Sequence, residues 1–485
     1  MSRKEIVDFI HNLEQKYPVD TWRVADVDVW PILKIQTFFF WFERNEQEKR
    51  NSPKKEKQIK TSSIRALVSS FLAWITFLFV QAKRTKYVFS GAHSYRVNFS
   101  DMSMNRYFDP MMDYLESEYD ASCLQFEQDS LRDLNYYKRD RIVPLRKLFP
   151  LANAWVKATT RGAVSKQFSS LNRFNDCLIE IEHELPTLSR QFVKKQVVYM
   201  TQTILVWAFV FDRIFKRTKP DYAFGLCYYT LQMLGMNLSA RRNEVVSIDM
   251  QHGTQGDLHV AYAHFTKMPT HGFSILPKVF WCWDQPSANV IQSWTSKQLN
   301  HNVIVGGNPW INFLADQHEV PIIRTSKKII LYTLQPVEPM LDDYILEAIK
   351  KTVSSYEWWI RLHPRQLKEK DRLIGILKKS GIERAVNIDD ACQLPLPTIL
   401  QHSAVHLSKF SGSIIEAGLL GVNNIVIDEI GVAAFKHELS NGSAVAYLEK
   451  DADGLIALIT KLANMKGRGM ENIKFADILR ANFIA

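Results

Sequence analysis

Cysteine is scarce and scattered, with five in 485 residues, at Cys123, Cys177, Cys227, Cys282 and Cys392. None forms a C-x-x-C pair, and the odd number argues against a disulfide framework. Reduced thiols in a cytoplasmic protein follow. Zinc-finger spacing, an RNP-like run and a long basic helix are also missing, so no nucleic acid is expected as a partner. The opening segment MSRKEIVDFIHNLEQKYPVD lacks the apolar centre and small-residue cleavage site of a signal peptide, so the main domains are expected in the cytoplasm. There is no short internal repeat, and the Lys- and Glu-rich stretch at 43–60 is the single biased tract. Acidic residues are outnumbered, leaving a net charge of +10 and a pI near 9.1, which favours anionic partners: nucleotides, acidic polymers or an anionic membrane surface.

What is present is a globular composition, 46% apolar and 23% charged, in a chain long enough for two or three domains. Residues 1–85 read as a helical, aromatic extension, with Trp30, Phe38, Phe39, Phe40, Trp41 and Phe42 in the mostly apolar run 29–42. The charged tract 43–60 reads as a linker. Residues 66–82 carry no charge and are bounded by Arg65 and by Lys83-Arg84. Seventeen residues fall at the lower limit for a membrane span, so a core helix, an interfacial helix with basic flanks and a true span all stay open.

From residue 86 the pattern alternates strand and helix. Short apolar runs at 87–90, 122–126, 222–227 and 245–250 read as strands, with helices over 186–216 and 230–242. After Pro277 the series restarts, with strands at 279–283, 303–305, 328–334, 356–362, 404–407, 424–428 and 444–448. Strand, helix and strand at these lengths make βαβ units with parallel sheets. The expectation is an α/β protein with two Rossmann-like domains, 86–276 and 277–485, facing across a cleft.

The polar motifs fall where these strands run out. Arg361-Leu362-His363-Pro364 ends one strand, and residues two apart share a face, so Arg361 and His363 point the same way. A guanidinium beside an imidazole suits a diphosphate, with Pro364 keeping His363 extended. Ser411-Gly412-Ser413 follows a second, neighbouring strand and opens a helix, where free N–H groups bind anions and Gly412 admits close approach. Ser413 and Glu416 also have the S-x-x-E spacing of a capping box, which would satisfy that helix end without any ligand. Beside Arg361 and His363 the balance favours phosphate, with Glu416 reaching ribose hydroxyls. Gln251-His252-Gly253-Thr254-Gln255-Gly256-Asp257 follows a strand of the first domain. There His252, or failing it Asp257, is the candidate base for an acceptor hydroxyl. His259, His264 and His271 follow at spacings that match no metal template, so no metal site is expected. Gly253, Asn308 in the turn Gly306-Gly307-Asn308-Pro309, and Gln335 are candidates for the cleft, as are residues 91–96 and Asp109.

Together the QHG loop, the GNP turn, the LHP strand end and the SGS-x-x-E helix start resemble bacterial GT-B glycosyltransferases of surface-polysaccharide assembly. The chain is similar to capsule and lipopolysaccharide transferases that use CMP-activated sialic acid or Kdo, and to CDP-glycerol and CDP-ribitol phosphotransferases. The resemblance covers roughly 86–462. It implies that His363 and Pro364 contact the donor phosphate and that Ser411 and Ser413 form the later serine motif. This chain has SGS where the polysialyltransferase-like pattern has adjacent hydroxyl residues, and it lacks that family's paired acidic residues followed by glycine. The expected activity is an inverting, metal-independent glycosyl transfer needing no cofactor. A CMP-, CDP- or UDP-linked sugar would be co-substrate, and a growing glycan or lipid-linked acceptor would be the partner. Such an enzyme would sit in the cytoplasm, peripheral on the inner face of the membrane. A CDP-polyol phosphotransferase, a sugar-nucleotide epimerase and a non-catalytic scaffold of a polysaccharide complex are the alternatives.

Overall fold

The computed structural model describes residues 1–50, 64–132, 134–160, 162–316, 323, 325–469 and 473–484. The expected linker at 43–60 is helical up to Arg50, and the rest of it lies outside the described residues. The chain forms two compact units. One comprises 1–96, 105–306 and 476–485, and the other 97–104 and 307–475.

The first unit holds a seven-stranded sheet. Its strands are β1 (Tyr87–Gly91), β2 (Cys123–Glu127), β3 (Ile142–Pro144), β4 (Tyr222–Leu226), β5 (Val246–Met250), β6 (Val279–Cys282) and β7 (Asn302–Val305). They lie in the order β7-β6-β5-β4-β1-β2-β3, with every pairing parallel. Parallel strands are covered on both faces, which is why Val88, Phe89, Ala223 and Phe224 are all fully buried although they alternate in direction. The order is that of a Rossmann sheet extended by one strand, reversing between β1 and β4.

The expected domain break at 276/277 is therefore displaced. Val279 of β6 pairs with Ile248 of β5, so β6 and β7 extend the first sheet and the break falls at Gly306–Gly307. A fresh apolar run after a proline looks the same in sequence whether it opens a new sheet or widens an old one.

Nor is 1–85 a separate layer. Helix α1 (Arg3–Lys16) starts with a capping box between Ser2 and Glu5 and buries Ile6, Ile10 and Leu13 along one face. Trp22, Trp30 and Leu33, the last two in helix α2 (Val29–Arg50), lie in the same core as Val88 and Phe211. A buried ion pair fastens this region down. The Lys34 ammonium meets Glu14 Oε2 at 3.2 Å and donates to the carbonyls of Ala263 and His264, while Glu14 Oε1 accepts from the Thr266 and Lys267 amides. Residues 66–82 form helix α3 (Ile64–Thr76), continued by a π-helical turn at Phe77–Gln81. Only 17% of this segment is buried, which removes the core-helix reading.

The longest helix among the described residues, α4 (Arg190–Thr218), is capped by Ser189 and buries Val193, Val197, Ile204 and Phe211. Helix α5 (Leu231–Arg242), capped by Thr230, crosses it at Gly235, where an added Cβ would meet Trp207 Cβ at 2.4 Å and the Ala208 amide nitrogen at 2.9 Å.

The second unit repeats the plan. Strands β8 (Lys328–Thr333), β9 (Tyr356–Arg361), β10 (Val386–Asn387), β11 (Ser403–Ser408), β12 (Asn423–Val426) and β13 (Ala444–Ala446) form a six-stranded sheet ordered β10-β9-β8-β11-β12-β13. All pairings are parallel, and the order reverses between β8 and β11. Two Rossmann-like units in one chain are the composition expected of a GT-B protein. The units exchange chain, however. Residues 97–104 belong to the second unit, where Phe99 packs edge-on against Trp310 and Phe313. The last helix, Phe475–Phe483, returns to the first unit. Its Phe483 ring lies against Tyr222, Phe224 and Trp281, and its carbonyl accepts from the Tyr87 hydroxyl at 2.6 Å.

Two substitutions test this packing. Lys34→Met leaves the Glu14 carboxylate buried without its cation and is expected to lower the unfolding free energy by about 3 kcal/mol in urea titration. Gly235→Ala drives a methyl into the α4 backbone and is expected to cost about 1–3 kcal/mol in the same measurement.

Candidate functional site

In an open parallel sheet the crevice for a ligand lies beyond the carboxyl ends of the strands, where the order reverses. In the second unit that point lies between Thr333, the last residue of β8, and Ser408, the last of β11. The segment after β11 turns at Ser411 and Gly412 into helix α6 (Ser413–Leu419).

A chain of buried hydrogen bonds sets the geometry there. The Asn424 amide donates to the carbonyls of Ile414, Val422 and Ser443, which fixes its Oδ1 as an acceptor. That oxygen stands 2.7 Å from His406 Nδ1, so Nδ1 carries the proton and Nε2 accepts. Nε2 lies 2.9 Å from Thr333 Oγ1 and 3.3 Å from Ser413 Oγ, and the two hydroxyls are 2.8 Å apart. Burial lowers the His406 pKa to about 4, so the ring stays neutral and the direction of the bonds holds. Serine, histidine and amide follow one another here as in a nucleophilic relay. Ser413 is only 4% exposed and also held by Thr333, so its hydroxyl is locked in place, not offered for attack.

This arrangement replaces the capping box that the S-x-x-E spacing allows. Ser413 is already inside the helix, and it is Ser411 Oγ that accepts from the Ser413 amide at 3.2 Å. Glu416, buried, accepts instead from Asn308 Nδ2 at 3.4 Å. The GNP turn and the SGS-x-x-E helix thus meet, bringing two expected site residues together. Gly412 and Ser411 are half-buried at the turn, and Gln335, half-buried just past β8, donates to the Leu334 carbonyl.

The LHP motif fares differently. β9 and β11 are not neighbours, because both flank β8. At the usual strand spacing His363 and Ser411 extend from strands about 10 Å apart, with Thr333 between them. Arg361 is not a phosphate clamp with His363: its Nη1 donates to the carbonyls of Ala391 and Leu394 at 2.5 and 2.7 Å, tying β9 to the next segment. His363 is half-buried and opens the 3-10 turn Pro364–Glu369, its Nδ1 accepting from the Arg365 amide at 3.1 Å. The neutral ring then carries its proton on Nε2, a donor suited to an anion. Pro364 is exposed and begins that turn. A cation that sequence reasoning missed is Lys409, directly after β11, whose ammonium lies 2.9 Å from Asp342 Oδ2 and 3.2 Å from the Pro339 carbonyl.

In the first unit His252 follows β5. Gln251 beside it is buried and holds the loop: its Oε1 accepts from the Trp283 amide, and its Nε2 donates to the Gly253 carbonyl and to Ser287 Oγ. The half-buried His252 ring is walled by Tyr95 at 5.4 Å and Tyr229 at 6.2 Å, and its carbonyl faces the Tyr107 hydroxyl at 3.4 Å. Gly253 faces open space. Asp257 is exposed, and its carbonyl is engaged by His264 Nε2. His259 packs on Tyr229 and Tyr262, and burial lowers its pKa to about 3.

The expected acceptor contacts at 91–96 and Asp109 are partly overturned, because Arg96 and Asp109 are interior. Arg96 Nε pairs with Glu127 Oε2 at 2.7 Å, both side chains nearly inaccessible, and Asp109 accepts from the Asn105 amide. Burial raises Glu127 to about 7 and Asp109 to about 6, against the pull of Arg96 and Arg141. Asp249 on β5, also missed, is raised by burial to about 8; it accepts from the Tyr228 amide and the Tyr262 hydroxyl at 3.0 Å each.

No family model matches this chain, and no curated protein does. Solved structures similar to it include the UDP-GlcNAc 2-epimerase from Methanocaldococcus jannaschii, at 12% identity and a TM-score of 0.47, covering 81% of this chain and 98% of that one. The UDP-GlcNAc 2-epimerase from Neisseria meningitidis bound to UDP-GlcNAc is similar at 16% identity and a TM-score of 0.45, covering 81% and 98%. The wall teichoic acid polymerase TagF is similar at 10% identity and a TM-score of 0.42, covering 93% and 94%.

Asp249 gives a pH test. Its carboxyl ionises near 3.8 when unfolded and near 8 when folded, so between those values the folded state holds a proton the unfolded state has lost, and stability falls as pH rises. Glu127 and Asp109 act the same way at lower pH, leaving Asp249 the chief of the three between pH 7 and 8. Asp249→Asn is expected to flatten the decline of the melting temperature over that interval. An unchanged slope would contradict the assignment.

Proposed function

We propose that this protein is an inverting, metal-independent glycosyltransferase that moves a sugar from a nucleotide-sugar donor to a growing surface glycan or a lipid-linked acceptor. The observation that carries the reading is the reversal point of the second sheet, where the Ser411-Gly412-Ser413 turn is built by buried bonds that leave the capping box unmade. The donor phosphate sits at this turn, with Ser411, the Gly412 amide and His363 Nε2–H as donors. Ser413, oriented by Thr333 and His406, keeps the turn in shape. Glu416, steadied by Asn308, takes the ribose hydroxyls. Fixed donors aimed at the oxygen that gains charge as the sugar leaves are the main source of rate in such a reaction. His252 is the base assigned to the acceptor hydroxyl.

The test is a thermal-shift screen of CMP, CDP, UDP and GDP. A nucleotide at a hundred times its Kd should stabilise the fold by about 2.7 kcal/mol, and silence from all four would reject the donor site. With the responding nucleotide's sugar conjugate, His363→Ala should lower kcat by about a hundredfold, as expected for a donor to the leaving group. Free nucleotide should appear only when acceptor is present, which an epimerase would not require. A phosphodiester in the product would assign the chain to polyol-phosphate transfer instead.

A further inference from the structure

Helix α3 and the π turn after it present two opposite faces. Ser70, Trp74 and Phe77 are buried against the first unit, where Ser70 Oγ and Trp74 Nε1 both donate to the Leu148 carbonyl and Ser70 Oγ accepts from the Leu151 amide. The helix therefore lies along the protein surface and does not leave it. On the other side Val68, Phe71, Leu72, Ile75 and Phe79, at helical spacing, form one apolar stripe, and all but Ile75 are more than half exposed, Phe79 at 81%. A contiguous apolar face of this kind on an otherwise ordinary surface marks an interaction site.

Charge indicates the partner. Exposed Arg65 begins the helix, and exposed Lys83 and Arg84 follow the turn. No acidic residue occurs between Glu56 and Asp101. A groove of about 680 Å³ runs beside the stripe, with Val68 and Leu72 on one wall and Arg65, Arg139 and Lys147 among its lining; none of the described residues lining it is acidic. A protein partner would have to match an apolar ridge bordered by unpaired-in-kind positive charge. An anionic bilayer supplies both parts at once, hydrocarbon for the ridge and phosphate for the cations.

We propose that α3 and its π turn form an in-plane anchor for an anionic lipid surface, with the adjoining groove receiving lipid phosphate headgroups. The anchor stands independently of the transferase reading, since its test uses neither nucleotide nor acceptor.

The full chain is floated with phosphatidylcholine vesicles, with and without phosphatidylglycerol. Wild type should float with the anionic vesicles alone and be released by high salt, which screens the charges. F71Q/F79Q should stay behind, and R139Q/K147Q should weaken binding by about fivefold per cation removed. If F71Q/F79Q melts below wild type, L72Q/V80Q on the same exposed side replaces it. Several outcomes would overturn the proposal: wild type that does not float, equal flotation of both Phe and Leu/Val variants, or protein that only detergent extracts, as a span would require. So would a dimer in solution that F71Q/F79Q disperses while neither form binds vesicles.

Discussion

Where a parallel sheet reverses its order, the crossovers on either side leave in opposite directions, and the carboxyl ends of two adjacent strands are left with no helix lying over them. That gap must be lined by groups that bear burial at the strand and meet solvent beyond it. In the second unit the constraint is met by the run of bonds from Asn424 through His406 to Thr333 and Ser413. Its direction is determined from one end, because an amide held by three carbonyls has one orientation. Desolvation keeps the imidazole neutral, so no proton reverses the sequence of donors and acceptors. The shape of the SGS turn, and with it the proposed phosphate seat, depends on this.

The same residues show how a site is separated from ordinary helix capping. Serine and glutamate three apart normally bond each other's backbone and end the matter. Here each side chain is drawn to a different strand-end group, Ser413 to Thr333 and Glu416 to Asn308, and the capping task passes to Ser411. A helix start arranged this way keeps its carboxylate and hydroxyl buried.

Much of the fold could be read from the chain alone, because parallel strands are buried on both faces and appear as short apolar runs. The runs 222–227, 245–250, 328–334 and 356–362 coincide with strands to within a residue or two. Strands β3 and β10 were not foreseen; Ile142–Pro144 and Val386–Asn387 are edge strands too short to make a pattern. The domain break was misplaced because periodicity carries no information about which sheet a strand joins. At the candidate site, Asn308 and Glu416, expected from position alone, do lie together beside the serine turn. His406, Thr333 and Asn424 were passed over, although a polar residue inside a run that should be wholly apolar is itself a signal. Arg361 was misassigned since alternation predicts which way a side chain leaves the strand, not which carbonyls wait there.

The exchange of chain between the units bears on how this protein can be divided or recombined. The polypeptide passes from one unit to the other at 96/97, 104/105, 306/307 and 475/476. A cut at any of these junctions separates at least one unit from a piece of itself, and a cut at 306/307 takes Phe483 away from Trp281 and Phe99 away from Trp310. Neither unit can therefore be moved whole through one fusion junction, and a chimaera has to carry every separate piece of the unit it takes.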